Sequence, residues 1–259
     1  MMRSAGVPPP RRWRPVGWCS GTCVTSSVTP LFYDAQPAAV SLAWTRLFSL
    51  APGVGGTAGG QTGAVTDEHG EDRRLGVAAV VLAAGAGERF TGERHKLLCE
   101  VGGVPLVRRA VEAALAADLD ETIVVMGAVD LLEVLPEDVT VLHNEAWEQG
   151  QATSLAAAVS YAGSRGHRAV VFGCGDQPGV PAEAWAAVGN ADCDLAVGDF
   201  GGARRPPVRI GAALWSHLPL TGDEGGRVLM RRRPELVRAI PCEGNPDDID
   251  TLEDLRKWN

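Results

Sequence analysis

The chain has 259 residues, 45% of them hydrophobic, and a formal net charge of −8, which is enough apolar material for one large α/β domain. The acidic balance excludes a general nucleic-acid binder, which would carry a basic stripe, and no apolar run approaches the length of a membrane span. The six cysteines are scattered without a disulfide-dense pattern, so we expect reduced thiols and a cytoplasmic location.

The composition of the chain changes near residue 75. Residues 1–75 are rich in Gly, Pro, Ser and Thr, with low-complexity stretches at 8–10 and 53–63. Because hydrophobic periodicity is poor there, little apolar area would offset the entropy of ordering the chain. We therefore predict a disordered N-terminal extension over residues 1–75, for which a start site placed too early is one hypothesis, and a single domain over residues 76–259.

From residue 77 onward, the patterns of strands and helices alternate. Apolar runs without polar residues indicate buried strands, and apolar residues at helical spacing indicate helices. Thr153 or Ser154 is the expected cap of the second helix. The alternation predicts an α/β fold, a three-layer α/β/α sandwich around a mostly parallel, Rossmann-like sheet, whose ligands bind beyond the carboxyl ends of the strands. The predicted strands are 77–84, 122–126, 139–143, 169–174, 195–198 and 236–240, and the predicted helices are 105–117, 153–163, 181–188, 211–217, 225–232 and one from 251.

The first strand leads directly into a glycine loop, Gly85-Ala86-Gly87. Small residues let backbone N–H groups approach an anion closely, and Arg89 and Lys96 add two cations. The loop lacks the Gly-x4-Gly-Lys-Ser/Thr pattern of a Walker A loop. It is not a Rossmann fingerprint either, because Phe90 stands at the third glycine position. This segment predicts a site for a nucleoside triphosphate; an ordinary strand-to-helix turn is the alternative.

Three later segments carry further candidate residues. Asp176 follows the strand 169–174, and a carboxylate at a strand end opposite a phosphate loop suits Mg²⁺, although a simple turn aspartate has the same pattern. Ser154 lies where a loop enters a helix, whose first N–H groups are unpaired and suited to phosphate, although plain capping also explains it. A glycine-rich turn containing Asp223 precedes a helix carrying Arg227, and this arrangement suits the phosphate of an acceptor.

The loop sequence Leu82-Ala-Ala-Gly-x-Gly-x-Arg89, with Lys96 after it, resembles the opening signature of the MobA-like nucleotidyltransferases. Within that family it is most similar to the molybdenum cofactor cytidylyltransferases. The resemblance runs over about residues 77–258, in the same order of motifs. Its later segments are Asn144-x-x-Trp-x-x-Gly-x-x-x-Ser-Leu155, Gly175-Asp-x-Pro178, Thr221–Arg227 and Asp248-Ile-Asp-Thr251.

The resemblance implies a fold of the nucleotide-diphospho-sugar transferase type and transfer of CMP from CTP to a phosphorylated acceptor, first of all molybdopterin, with release of pyrophosphate. Ala84 resembles the cytidylyl version of the motif, whereas guanylyl relatives have glycine at this position. The implied partners are CTP or another NTP, the acceptor and a molybdoenzyme, with no nucleic acid and no membrane. The implied residues are Arg89, Lys96 and Asp176 for catalysis, Leu82, Ala83, Ala84, Gly85, Ala86, Gly87 and Ser154 for the nucleotide, Asp223 and Arg227 for the acceptor, and Asp176 and Asp250 for Mg²⁺.

The sequence departs from the family pattern in its second half. Arg205-Pro206-Pro207 stands where the cytidylyltransferases have Gly-His-Pro, and Arg209 lies among apolar positions. Both changes indicate an altered acceptor pocket beside intact transfer residues. Three alternatives therefore stay open: a guanylyltransferase acting on a phospholactate-type acceptor, an NAD(P)H-dependent oxidoreductase on the same fold, and a non-catalytic carrier of the molybdenum cofactor.

Overall fold

The computed structural model describes residues 33–34, 76–92 and 94–258 of the chain. Of the extension predicted to be disordered, it describes only Tyr33–Asp34, which form a short strand. The rest of that prediction lies outside the described residues.

An eight-stranded sheet forms the centre of the domain. Its order is β1-β6-β5-β2-β7-β9-β8-β10. Neighbouring strands run parallel except around β9, which is antiparallel to both β7 and β8. The strands are β1 (Tyr33–Asp34), β2 (Val77–Ala83), β5 (Glu121–Met126), β6 (Thr140–His143), β7 (Ala169–Cys174), β8 (Leu195–Phe200), β9 (Ala203–Gly211) and β10 (Arg238–Pro241), and a separate hairpin joins β3 (Glu100–Val101) to β4 (Val104–Pro105).

Helices cover both faces of the sheet. Alternate residues of β2 enter two different core clusters, with Ala79 and Val81 on one face and Ala78 and Val80 on the other. Since both faces of this strand are covered, its sequence is apolar throughout. The first face packs on α1 (Leu106–Leu115) and α3 (Ala182–Gly189), and the second on α2 (Gln151–Ser164) and α4 (Gly226–Arg232); α5 (Leu252–Trp258) closes the described chain.

The predicted three-layer sandwich and mostly parallel sheet are confirmed. One strand was not predicted, and one local prediction is wrong. Strand β9 was missed, because Arg204, Arg205 and two prolines are unfavourable in a strand. Thr153 and Ser154 do not cap α2, which begins at Gln151 after an N-cap glycine; Thr153 Oγ1 donates back to the Gly150 carbonyl instead (2.8 Å).

Two further expectations concern membranes and thiols. Among the described helices, none is both long and apolar enough to cross a membrane. The four cysteines within the described ranges are free thiols, namely Cys99, Cys174, Cys193 and Cys242. Cys19 and Cys23 lie outside the described residues.

Candidate active site

The loops that follow β2 and β7 lie side by side, because these two strands are parallel neighbours in the sheet. Their last paired residues are Leu82 and Cys174, and the Gly175 N–H continues the contact by donating to the Leu82 carbonyl (2.9 Å). The glycine loop after β2 and the Asp176 turn after β7 therefore meet at one edge of the sheet. This is the edge at which ligands of open α/β sheets bind.

Among the described residues, the backbone donors of the glycine loop have no backbone partner. None of the N–H groups of residues 85–89 donates to a backbone carbonyl of the described residues. Gly87 has φ +66°, and a Cβ atom there would lie 3.2 Å from the Lys96 side chain, so both conformation and space favour glycine. The Phe90 N–H closes the turn on the Gly87 carbonyl (2.8 Å). Successive free N–H groups in such a turn suit an anion.

Lys96 links the two carboxylates of the site. Its Nζ donates to Asp176 Oδ2 (2.6 Å) and to Asp250 Oδ1 (2.9 Å), and Arg89 pairs with the other Asp250 oxygen (2.9 Å). Burial alone would lower the pKa of Lys96, but the two carboxylates outweigh burial and raise it above its ordinary value. The ammonium group therefore stays charged at neutral pH.

Asp250 reaches this edge because the segment before α5 is anchored to the Asp176 turn. The Ile249 N–H donates to the Asp176 carbonyl (3.0 Å), and the Ile249 side chain is fully buried with Val101 and Leu106. Asp248, which sequence reasoning did not select as a site residue, lies near enough to these carboxylates to be affected by their charge. Burial and the nearby charges of Asp176 and Asp250 raise its pKa. The sequence feature that could have identified Asp248 is its position two residues before Asp250.

The donor set fits a small divalent cation. Asp176 and Asp250 each place one carboxylate oxygen within 2.9 Å of the same ammonium nitrogen, so the two oxygens already converge on a cation. Oxygen donors of this kind suit Mg²⁺ or Mn²⁺. Across residues 76–92 and 94–258, no group of three or more His, Cys, Asp or Glu side chains is arranged around a metal position. Phosphate oxygens and water would therefore complete the coordination.

A cavity of about 620 Å³ joins these groups. Glu148, Gln151 and Cys174 also line it, and sequence reasoning missed them because loop and helix packing bring them in. Ser154 lies in the wall but accepts a hydrogen bond from Asn144 (2.9 Å). The predicted site residues in the lining are Leu82, Ala83, Ala84, Gly85, Ala86, Gly87, Arg89, Lys96, Ser154, Asp176, Asp223 and Asp250.

Arg227, the remaining predicted residue, lies in a second cavity of about 620 Å³. The two cavities share Leu82, Gln151 and Cys174 as common wall. Apolar side chains form much of the second lining, and its charged residues are four arginines and Glu224. Only one of these arginines, Arg231, forms an ion pair among the described residues, with Glu224. The arginines are Arg204, Arg205, Arg227 and Arg231, and the apolar residues include Leu155, Phe172, Val197, Val208, Ile210 and Met230.

Arg209 lies away from both cavities. Its neighbours Val208 and Ile210 face the second cavity, so strand alternation turns Arg209 to the opposite face of the sheet. There it is 4% exposed and donates to the carbonyls of Cys193 (2.8 Å) and Gly189 (2.6 Å). The expectation that Arg209 alters the acceptor pocket is wrong: its role is to bind the carboxyl end of α3. Arg205, by contrast, does line the second cavity.

Comparison with known proteins agrees on the family and the fold, while one relative carries the name of an oxidoreductase. The profile of the MobA-like NTP transferase domain matches residues 79–237. The chain is 30% identical over 198 residues to nicotine blue oxidoreductase from Paenarthrobacter nicotinovorans, covering 69% of this chain and 94% of that protein. It is 25% identical to a nucleotidyl transferase from Methanothermobacter thermautotroptrophicus, with TM-score 0.60 and coverage of 70% and 95%. A manganese complex from Mycobacterium tuberculosis H37Rv shares the fold at 22% identity, with TM-score 0.57 and coverage of 71% and 97%.

Proposed function

The chain belongs to the MobA-like NTP transferase family of nucleotidyltransferases, and we propose that it transfers CMP from CTP to a phosphorylated acceptor with release of pyrophosphate. One observation carries this proposal. A single cavity brings together the glycine loop after β2, the cations Arg89 and Lys96, and the carboxylates Asp176 and Asp250. Groups suited to a triphosphate and to its metal ion are thus combined in one place.

In the proposed reaction an oxygen of the acceptor phosphate attacks the α-phosphorus of the nucleotide. The new phosphorus–oxygen bond forms as the bond to the bridging oxygen of the β-phosphate breaks, and pyrophosphate leaves. Such transfers need positioning and charge neutralisation more than covalent help from the protein. The loop N–H groups would hold phosphate oxygens, and Lys96 and Arg89 would offset their negative charge.

Asp176 and Asp250 would hold a divalent cation, for which we propose Mg²⁺. The related structure from M. tuberculosis was solved with manganese, which supports a divalent ion in this fold. When bound, the ion would neutralise charge on the phosphates and orient their oxygens. Lys96, now bonded to both carboxylates, would then turn towards the triphosphate.

We propose the second cavity as the acceptor site, with molybdopterin as the first candidate acceptor and a molybdoenzyme as recipient of the product. The shared wall at Leu82, Gln151 and Cys174 puts the cavity directly beside the proposed nucleotide site. Arg205 and Arg227 line it and suit an anionic group. Its apolar walls suit a ring system rather than a small polar acid, which favours this acceptor over one of the phospholactate type.

A panel of thermal unfolding measurements tests the nucleotide first. With Mg²⁺ or Mn²⁺ present, CTP should raise the unfolding temperature more than GTP, ATP or NADPH, because a ligand at a hundred times its Kd adds about 2.7 kcal/mol of stability. Pyrophosphate release with CTP and molybdopterin then tests transfer. Release with GTP instead would move the proposal to a guanylyltransferase. Absence of release with every NTP would overturn it.

A second candidate is an NAD(P)H-dependent oxidoreductase. The specific observation in its favour is the relative from P. nicotinovorans, which carries the name of an oxidoreductase and is covered over 94% of its length. The apolar walls of the second cavity would also accept a planar pigment. Oxidation of NADPH in the presence of such a pigment, without any NTP-dependent release of pyrophosphate, would favour this function.

A further inference from the structure

His95 lies behind the glycine loop and contacts it directly. Its Nε2 is 3.1 Å from the Gly85 carbonyl oxygen, and its Nδ1 accepts a hydrogen bond from the Leu97 N–H (3.3 Å). The acceptance at Nδ1 places the ring proton on Nε2, which therefore donates to Gly85. His95 is half-buried and is not part of the cavity lining, although Lys96 and Leu97 are. The imidazole thus supports the loop from outside the lining of the proposed nucleotide cavity.

The Gly85 contact fixes the orientation of one peptide unit. In a trans peptide the C=O of residue 85 and the N–H of residue 86 point in opposite directions. Holding the Gly85 carbonyl towards His95 turns the Ala86 N–H away from the imidazole. Because Gly85, Ala86 and Gly87 all line the cavity, this N–H is then available to a ligand there. Without this bond a loop containing two glycines has little to prevent that peptide from rotating, because glycine adopts most backbone conformations.

We propose that His95 is a positioning residue for phosphate binding: through its bond to the Gly85 carbonyl, it keeps the Ala86 N–H directed at the phosphates of the nucleotide. The proposal rests on the proposed function because it uses the same cavity, but it concerns phosphate binding alone. His95 is outside the cavity lining and has no hydrogen bond to Asp176 or Asp250. Loss of one hydrogen bond of ordinary strength corresponds to a decrease of about tenfold in phosphate affinity.

Two substitutions separate this role from a general effect on folding. In His95→Asn, the side-chain oxygen can still accept from Leu97, but the amide is too short to reach Gly85. In His95→Gln, the longer amide can reach the Gly85 carbonyl and donate to it. His217→Asn is the matched control, because His217 is exposed and lines neither cavity.

The probe is inorganic tripolyphosphate with Mg²⁺, measured by isothermal titration calorimetry on the full chain. We expect His95→Asn to weaken binding about tenfold at an unchanged unfolding temperature of the ligand-free protein, and His95→Gln and the control to bind as the wild type does. In turnover assays with CTP, His95→Asn should raise KM more than it lowers kcat.

The proposal is overturned if His95→Asn binds tripolyphosphate as tightly as the wild type, or if His95→Gln binds as weakly as His95→Asn. These results would leave the proposed transferase intact, because the wild type would still bind the probe. Failure of the wild type to bind tripolyphosphate would overturn both proposals together. Binding of the probe without any nucleotidyl transfer would overturn the transferase alone.

Discussion

Replacing Lys96 by methionine should strengthen the binding of a divalent cation to the nucleotide-free protein. Lys96 now supplies the positive charge between Asp176 and Asp250, at 2.6 and 2.9 Å. A metal ion that uses the same two carboxylates has to displace the ammonium group first. Methionine keeps the length of the apolar stem but carries no charge, so the two carboxylates would become available.

The size of this effect follows from the ion pairs. At an effective dielectric constant of about 20, two unit charges about 4 Å apart attract each other by about 4 kcal/mol. Lys96 is 12% exposed and each carboxylate is 20% exposed, so solvent screens part of this attraction. We expect at least about 1.4 kcal/mol of this attraction to be recovered as stronger metal binding in Lys96→Met. This corresponds to a Kd at least tenfold lower than that of the wild type.

Manganese titration followed by electron paramagnetic resonance measures this Kd directly. Lys257→Met is the matched control, because it removes the same charge from an exposed position on α5. Lys96→Met should also reduce nucleotidyl transfer strongly, since the triphosphate loses a cation. An unchanged manganese Kd in Lys96→Met would refute the assignment of Asp176 and Asp250 as joint metal ligands.

Three further predictions concern single side chains. Asp176→Asn should lower pyrophosphate release at least a hundredfold, or about 2.7 kcal/mol, while circular dichroism shows a folded protein; normal release would contradict its metal role. Arg209→Met should cost about 3 kcal/mol of stability in urea unfolding, because two charge-assisted hydrogen bonds are lost, and should leave CTP affinity unchanged. For Glu121, burial alone would raise its pKa, but bonds from His167, Thr140 and Tyr161 lower it from 4.5 to about 2. This carboxylate therefore stabilises the fold fully above pH 4.5 and loses its effect as the pH falls towards 2, so the deficit of Glu121→Gln in urea unfolding should shrink over that range.

The sequence predicts best where local pattern and tertiary position agree. Strand β7 was predicted with the bounds that the structure has, Ala169–Cys174, because a short apolar run ending at Gly-Asp fits a buried parallel strand. The glycine loop was found for a similar reason, since its small residues are needed by its own backbone. Both features depend on neighbours along the chain.

The features that sequence reasoning missed depend on partners far along the chain. Strand β9 contains two arginines and two prolines in its first half, and it is a strand because β7 and β8 lie on either side of it. Arg209 looked like a pocket residue, since nothing in the local sequence shows that the carbonyls of Gly189 and Cys193 need a donor. The contact of His95 with the glycine loop likewise cannot be predicted from their separation along the sequence.

The dependence of the site on distant contacts explains why its charges lie where they do. Lys96 and Asp250 are 154 positions apart, and a hydrogen bond between free, flexible side chains would not repay the entropy of bringing such segments together. The buried side chain of Ile249 and its N–H bond to the Asp176 carbonyl hold the segment regardless of the charges. Asp250 therefore arrives at the site already positioned, and the proposed exchange of Lys96 for a metal ion and a triphosphate would not need to reorder the backbone.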